Sequence, residues 1–113
     1  MKGDALKGHL DFLILSVLAD NPMHGYAVIE ELRTRSDEVI DVPEGTLYPA
    51  LHRLERAGLI TATWSEVKGR RRKSYRLTPT GTGQLADEKR AWTGFASAVA
   101  AITGTPATTG GAG

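Results

Sequence analysis

The hydrophobic period of this chain changes at Gly58, and that change limits the folds open to the part before Thr78. Before Gly58, apolar residues recur at three- and four-residue spacing; beyond it they alternate. Leu6, Leu10, Leu13, Ile14, Val17 and Leu18 mark one face of a first helix, with Asp4 placed to cap it. Asn21 and Pro22 break that helix, and Ala27, Val28, Ile29 and Leu32 predict a second, from about Gly25 to Arg35. Pro43 and Gly45 interrupt the chain again. Leu47, Leu51 and Leu54 then define a third helix, which Gly58 ends by accepting the left-handed conformation past a helix C-terminus.

Beyond Gly58, Ile60, Ala62 and Trp64 alternate with Thr61, Thr63 and Ser65, and Tyr75 and Leu77 resume the alternation past a basic loop around Gly69. That pattern predicts two antiparallel strands, with Trp64 and Tyr75 as cross-strand partners in the core. Thr78 followed by Pro79 supplies a capping hydroxyl and a proline at the first helical position, so a fourth helix begins there and runs over 79–103. Along it Leu85, Glu88, Trp92, Phe95, Val99 and Ile102 follow the three-four spacing of a coiled-coil seam with one polar interruption. An apolar stripe of that length needs a partner, and a homodimer is expected through it, with Leu6 and Leu10 of the first helix contributing. Residues 104–113 are glycine, threonine, proline and alanine, expected to form a disordered tail. The fold class is therefore mainly α with a small antiparallel β-hairpin. Residues 1–78 form a winged helix-turn-helix and residues 79–103 a C-terminal dimerisation helix.

The 113 residues carry a net charge of only +1, but the charge is unevenly placed. Residues 1–45 hold four basic and nine acidic groups, net −5; residues 46–76 hold eight basic and two acidic groups, net +6. A basic middle third attracts a polyanion. The absence of cysteine removes thiolate chemistry, disulfides and Cys-based metal sites. The longest apolar run, Phe12 to Ala19, is too short to span a bilayer, so a cytoplasmic protein without membrane contact is expected.

Placed on this frame, the cations fall where a winged helix meets DNA. The third helix buries its leucines and turns Thr46, Tyr48, Pro49, His52, Arg53 and Arg56 outward, the short polar, aromatic and basic set that enters a major groove. Tyr48, beside Leu47 and Leu51, fits either the groove or the core. Lys68, Arg70, Arg71, Arg72 and Lys73 in the hairpin form a wing suited to phosphates.

The residues that carry a resemblance are His24-Gly25-Tyr26-Ala27-Val28, the run from Gly45-Thr46-Leu47-Tyr48-Pro49 to Gly58-Leu59-Ile60, and Gly69-Arg70 through Tyr75-Arg76-Leu77-Thr78, with Gly81 after. In these the chain resembles the PadR family of transcriptional regulators, over roughly residues 6 to 103, and within it the short branch with one C-terminal helix. The resemblance implies a homodimeric, usually repressing protein on double-stranded DNA with a palindromic operator. It also implies exchange of contacts between the C-terminal helix and the partner's N-terminal helix, and in some members a small-molecule effector. Two positions depart from the pattern: Arg71 stands where the family often has proline, and Ser74 where an aromatic is common. Trp92 fits either dimer packing or a ligand wall: packed rings leave no pocket, whereas rings that stand apart, with Phe95 and Glu88, suit a flat aromatic or hydrophobic effector if there is one.

Other readings are weaker. Gly81-Thr82-Gly83-Gln84-Leu85-Ala86 matches a dinucleotide fingerprint but lacks the parallel βαβ unit and the later carboxylate. His9, His24 and His52 lie in different elements and make a poor metal set; His24 suits a helix start and His52 a groove-facing donor. No catalytic constellation has an anchoring motif, so neither an enzyme nor a cofactor is expected. The alternative is a winged-helix module for nucleic acid or protein interaction without ligand control; the basic region could also serve single-stranded nucleic acid or RNA, although the wing has few of the aromatics that base stacking uses.

Overall fold

The structure, a computed structural model, describes residues 9–106. Its elements are α1 (Leu10–Leu18), β1 (Met23–His24), α2 (Gly25–Arg35), α3 (Glu44–Arg56), β2 (Ile60–Val67), β3 (Arg70–Leu77) and α4 (Pro79–Thr103). Asp4, Leu6 and residues 107–113 lie outside the described residues, and residues 104–106 take no regular structure.

The helices pack because each has one apolar stripe, and α1 is the hub. Leu10, Ile14, Leu15, Val17 and Leu18 are all buried there, against Val28, Ile29 and Leu32 of α2 and Leu47, Ala50, Leu51 and Leu54 of α3. No polar or charged residue is buried among those described. Local chemistry sets the ends. The His24 imidazole Nδ1 accepts the Ala27 N–H at 3.2 Å, capping α2. Gly58, at φ +77°, ends α3, with Leu59 N–H reaching the Leu54 carbonyl and Gly58 N–H the Glu55 carbonyl.

Three antiparallel strands follow the order β1-β3-β2, where alternation alone predicts two. The extra strand is Met23–His24, paired to Tyr75 and Ser74; two residues are too few to show a period. The hairpin turn is only Lys68-Gly69, at φ 53° and 77°, the two left-handed positions that a two-residue turn between twisted strands demands. Arg70 to Lys73 therefore stand on β3 and not on a flexible loop: Arg71 and Lys73 point to one face, Arg70 and Arg72 to the other.

The base of α4 is built into the winged unit. The Thr78 hydroxyl accepts the Gly81 N–H at 3.0 Å and donates to the Gly58 carbonyl at 2.6 Å. Gly81 lies so close to the strand junction that a Cβ would stand 1.9 Å from the Leu59 carbonyl oxygen. The fingerprint-like Gly81 to Ala86 run is thus a tight helix base. Leu85 closes the core, and further along α4 Trp92, Phe95, Val99 and Ile102 are exposed. The chain measures 54 × 28 × 28 Å.

Candidate nucleic-acid interface

The outward face of α3 carries what the sequence predicts. Thr46, Tyr48, Pro49, His52, Arg53 and Arg56 are all exposed, while Leu47, Ala50, Leu51 and Leu54 are buried beneath them. Pro49 removes one N–H from the helical ladder on that outer face. Tyr48 settles between the two expectations: it is 40% exposed, and its ring rests on Gly25, where a Cβ would come within 2.6 Å of Cε1. Burial and the Glu44 charge push its phenol above the usual tyrosine value, so it remains a protonated donor.

Between α3, the start of α2 and the wing runs an open groove of about 750 Å³. Tyr26, Tyr48, Trp64 and Tyr75 line it together with His24, Arg71, Arg72 and Lys73. Trp64 is 56% exposed and faces Lys73 across the strands, not Tyr75, which instead pairs with Ala62 and sits in the core. The expected Trp64–Tyr75 core pair is corrected accordingly. The core ends at Ala62, and among the described residues no helix covers the sheet at the next same-face position. The sequence reading omits Tyr26 and Trp64 from the site; the wing-face alternation of Trp64 with two cations is the signal that could have found it.

The cations are not equivalent. Arg53 Nη2 lies 2.6 Å from Asp11 Oδ1 of α1, and Lys73 Nζ lies 3.3 Å from Glu55 Oε1 of α3. Burial lowers the Lys73 pKa, but the Glu55 hydrogen bond and the neighbouring Tyr75 raise it further, above the usual lysine value. Arg56, Lys68, Arg70, Arg71 and Arg72 make no ion pair among the described residues. On the far side, Arg33 and Arg35 are paired with Glu30, Glu38, Glu31 and Asp20. Unpaired positive charge is thus concentrated at the end of α3 and along the wing. His24 is neutral-leaning: burial and then the Arg72 charge hold its pKa below the ordinary histidine value.

The residues expected at a dimer contact separate into two groups. Leu10 and Leu85 belong to the chain's own core, at 3% and 4% exposure, and are not available as surface. Trp92, Phe95, Val99 and Ile102 are surface. Trp92 meets His9 edge-on at 5.3 Å and Phe12 at 6.3 Å between ring centres. With Glu88, Ala91 and Phe95 these rings line an open pocket of about 320 Å³ between α1 and α4. Glu88 Oε1 accepts from Gln84 at 3.2 Å, whereas its buried Oε2 has no hydrogen-bond partner among the described residues.

A helical bundle with an exposed cationic third helix and a basic hairpin beside it defines a winged helix-turn-helix protein. Residues 14–87 match the Transcriptional regulator PadR-like family, and the chain belongs to that family, one of transcriptional regulators and not of enzymes. It is similar to the transcriptional regulator Rv3488 of Mycobacterium tuberculosis, 45% identical over 78 residues, 69% of this chain and 70% of that one. A transcriptional regulator from Clostridium thermocellum superposes with a TM-score of 0.82 at 31% identity, over 89% of this chain and 99% of the other. Bacillus subtilis PadR, solved in complex with operator DNA, gives a TM-score of 0.65 at 25% identity, over 69% of this chain and 45% of that one. No helix among the described residues is long and apolar enough to cross a membrane.

Proposed function

We propose that this regulator is a homodimer that binds a palindromic operator in duplex DNA and represses transcription. The observation that carries the reading is the placing of the unpaired cations. Tyr48 of α3 and Arg71 and Arg72 of the wing line one groove, while Thr46, Pro49, His52 and Arg56 stand exposed on α3 and Lys68 and Arg70 at the tip of the wing. Arg53 and Lys73 join them once phosphate displaces their carboxylate partners, since exposed ion pairs are worth about 1 kcal/mol or less. The family membership and the operator complex of the Bacillus subtilis relative support the same reading. Residues 1–78 act as the DNA-binding unit, 79–103 as the dimerisation helix and 104–113 as a tail, and the protein works in the cytoplasm, where its DNA is.

The exposed stripe Trp92, Phe95, Val99 and Ile102 supplies the dimer contact, because monomers leave it in water. The pocket at Glu88, Trp92 and Phe95 takes a planar aromatic effector, which releases DNA by changing the angle between the two winged units. Salt-dependent binding of duplex DNA tests the central part. About 8 neutralised phosphates per dimer give a log–log slope near −7. Arg70→Ala with Arg72→Ala flattens that slope and weakens every sequence alike. Titration of planar aromatics against tryptophan fluorescence, in the natural chain and in Trp92→Ala, tests the effector site.

A further inference from the structure

Arg71 differs from every other cation of the wing in how it is held. Its guanidinium carbon lies 4.6 Å from the centre of the Trp64 ring, on the same face of the hairpin, and no carboxylate or hydrogen-bond acceptor among the described residues holds it. A guanidinium held against a ring at that distance, with no acceptor among the described residues, keeps its N–H donors unused. Lys73, by contrast, has its ammonium tied to Glu55 at 3.3 Å while it sits 5.9 Å from the same ring. Trp64 itself is more than half exposed and does nothing for the core, so its contact with Arg71, the nearer of the two cations over the ring, explains a large ring at this place.

The position of the pair along the hairpin gives it a target. Trp64 is four residues beyond Ile60, at the edge of the core, and so about 14 Å out along the strand. With α3 in a major groove, the neighbouring minor groove lies half a turn away, about 17 Å along the duplex. A·T-rich DNA narrows that groove and deepens its negative potential, which draws in arginine. We propose that Trp64 is a positioning residue that holds Arg71 as a probe of the minor groove beside each half-site. The wing then reads A·T content through Arg71, while Arg70 and Arg72 on the opposite face meet phosphate. The inference rests on the duplex-binding reading above and adds a specificity-determining pair to it.

The test uses the full chain and a duplex recovered from a randomised pool, rebuilt with flanks of A·T, G·C or inosine·cytosine pairs. Inosine·cytosine keeps the major-groove face of G·C but lacks the amino group in the minor groove. The natural chain should prefer A·T and inosine·cytosine flanks to G·C flanks by about tenfold, the size of a single base-pair discrimination. Arg71→Ala and Trp64→Leu should each reduce that preference below about twofold, and the double variant should lose no more than either alone. Trp64→Phe should retain the preference, and Arg70→Ala should weaken all three duplexes equally. Both positions are exposed, and thermal melting of each variant confirms that it is folded. Equal affinity of the natural chain for all three flanks, or full discrimination by Trp64→Leu, overturns the proposal and leaves duplex binding intact. Failure of the natural chain to bind any duplex overturns both.

Discussion

Two glycines in the first turns of α4 should respond to alanine with opposite signs. At Gly81 an added Cβ stands 1.9 Å from the Leu59 carbonyl oxygen and 2.9 Å from its carbon, so the helix base must retreat by about an ångström or more to reach ordinary contact. That retreat breaks the junction in which Thr78 N–H donates to the Leu59 carbonyl at 3.1 Å and Gly81 N–H to the Thr78 hydroxyl at 3.0 Å. It also lifts Leu85 from the core. A lost cap costs about 1 kcal/mol and partial exposure of a leucine about 2 kcal/mol, together about 3 kcal/mol. For a chain of this size that lowers Tm by about 12 °C. Gly83 has nothing within 4 Å of its Cβ position, so alanine there gains helix propensity alone, about 0.5–1 kcal/mol, and raises Tm by about 3 °C. Circular dichroism melts at one fixed protein concentration measure both, since the Tm of any self-associating chain depends on concentration. A Gly81→Ala melt within 3 °C of the natural chain, or shifts of the same sign in both variants, refutes the packing argument.

Asp11→Asn should release Arg53 to DNA, raising affinity at low salt and steepening the log–log salt slope by about 2 per dimer; an unchanged slope means that Arg53 stays off the phosphates. Gly25→Ala should push the Tyr48 ring off its seat and lower duplex affinity about tenfold, the worth of a hydrogen bond to a charged group, with little change in melting temperature. His24 has a folded pKa below its unfolded value, so it contributes stability above pH 6.5 that is lost as pH falls through 6.5 toward the folded value. His24→Asn keeps a capping side chain without the titration, and melts between pH 7.5 and 5 should show a shallower decline than in the natural chain.

Punctuation made the helices legible. Pro43, Gly58 and the Thr78-Pro79 pair each act within a few residues, so their effect can be read without knowing what packs where. The outward face of α3 followed from the same logic, because burying Leu47, Leu51 and Leu54 leaves His52 and Arg56 no other side. Depth in the sheet was not legible. Alternation assigns Trp64 to a face, but whether that face is covered depends on how far the packed core reaches along β2, and it reaches Ala62. Four consecutive cations also hide a strand, since Arg70 to Lys73 offer no apolar alternation and are held in β3 by backbone pairing with Trp64 to Val67. The Asp11–Arg53 contact joins residues 42 apart, and local pattern carries no trace of it.

Footprinting of the full chain on a duplex selected from a randomised pool tests the central claim most directly. A protected site with two-fold symmetry is expected, its half-sites centred about 34 Å apart, occupied by two chains and released by salt. Protection of a single asymmetric site by one chain, or tighter binding to single-stranded nucleic acid than to duplex, would contradict it.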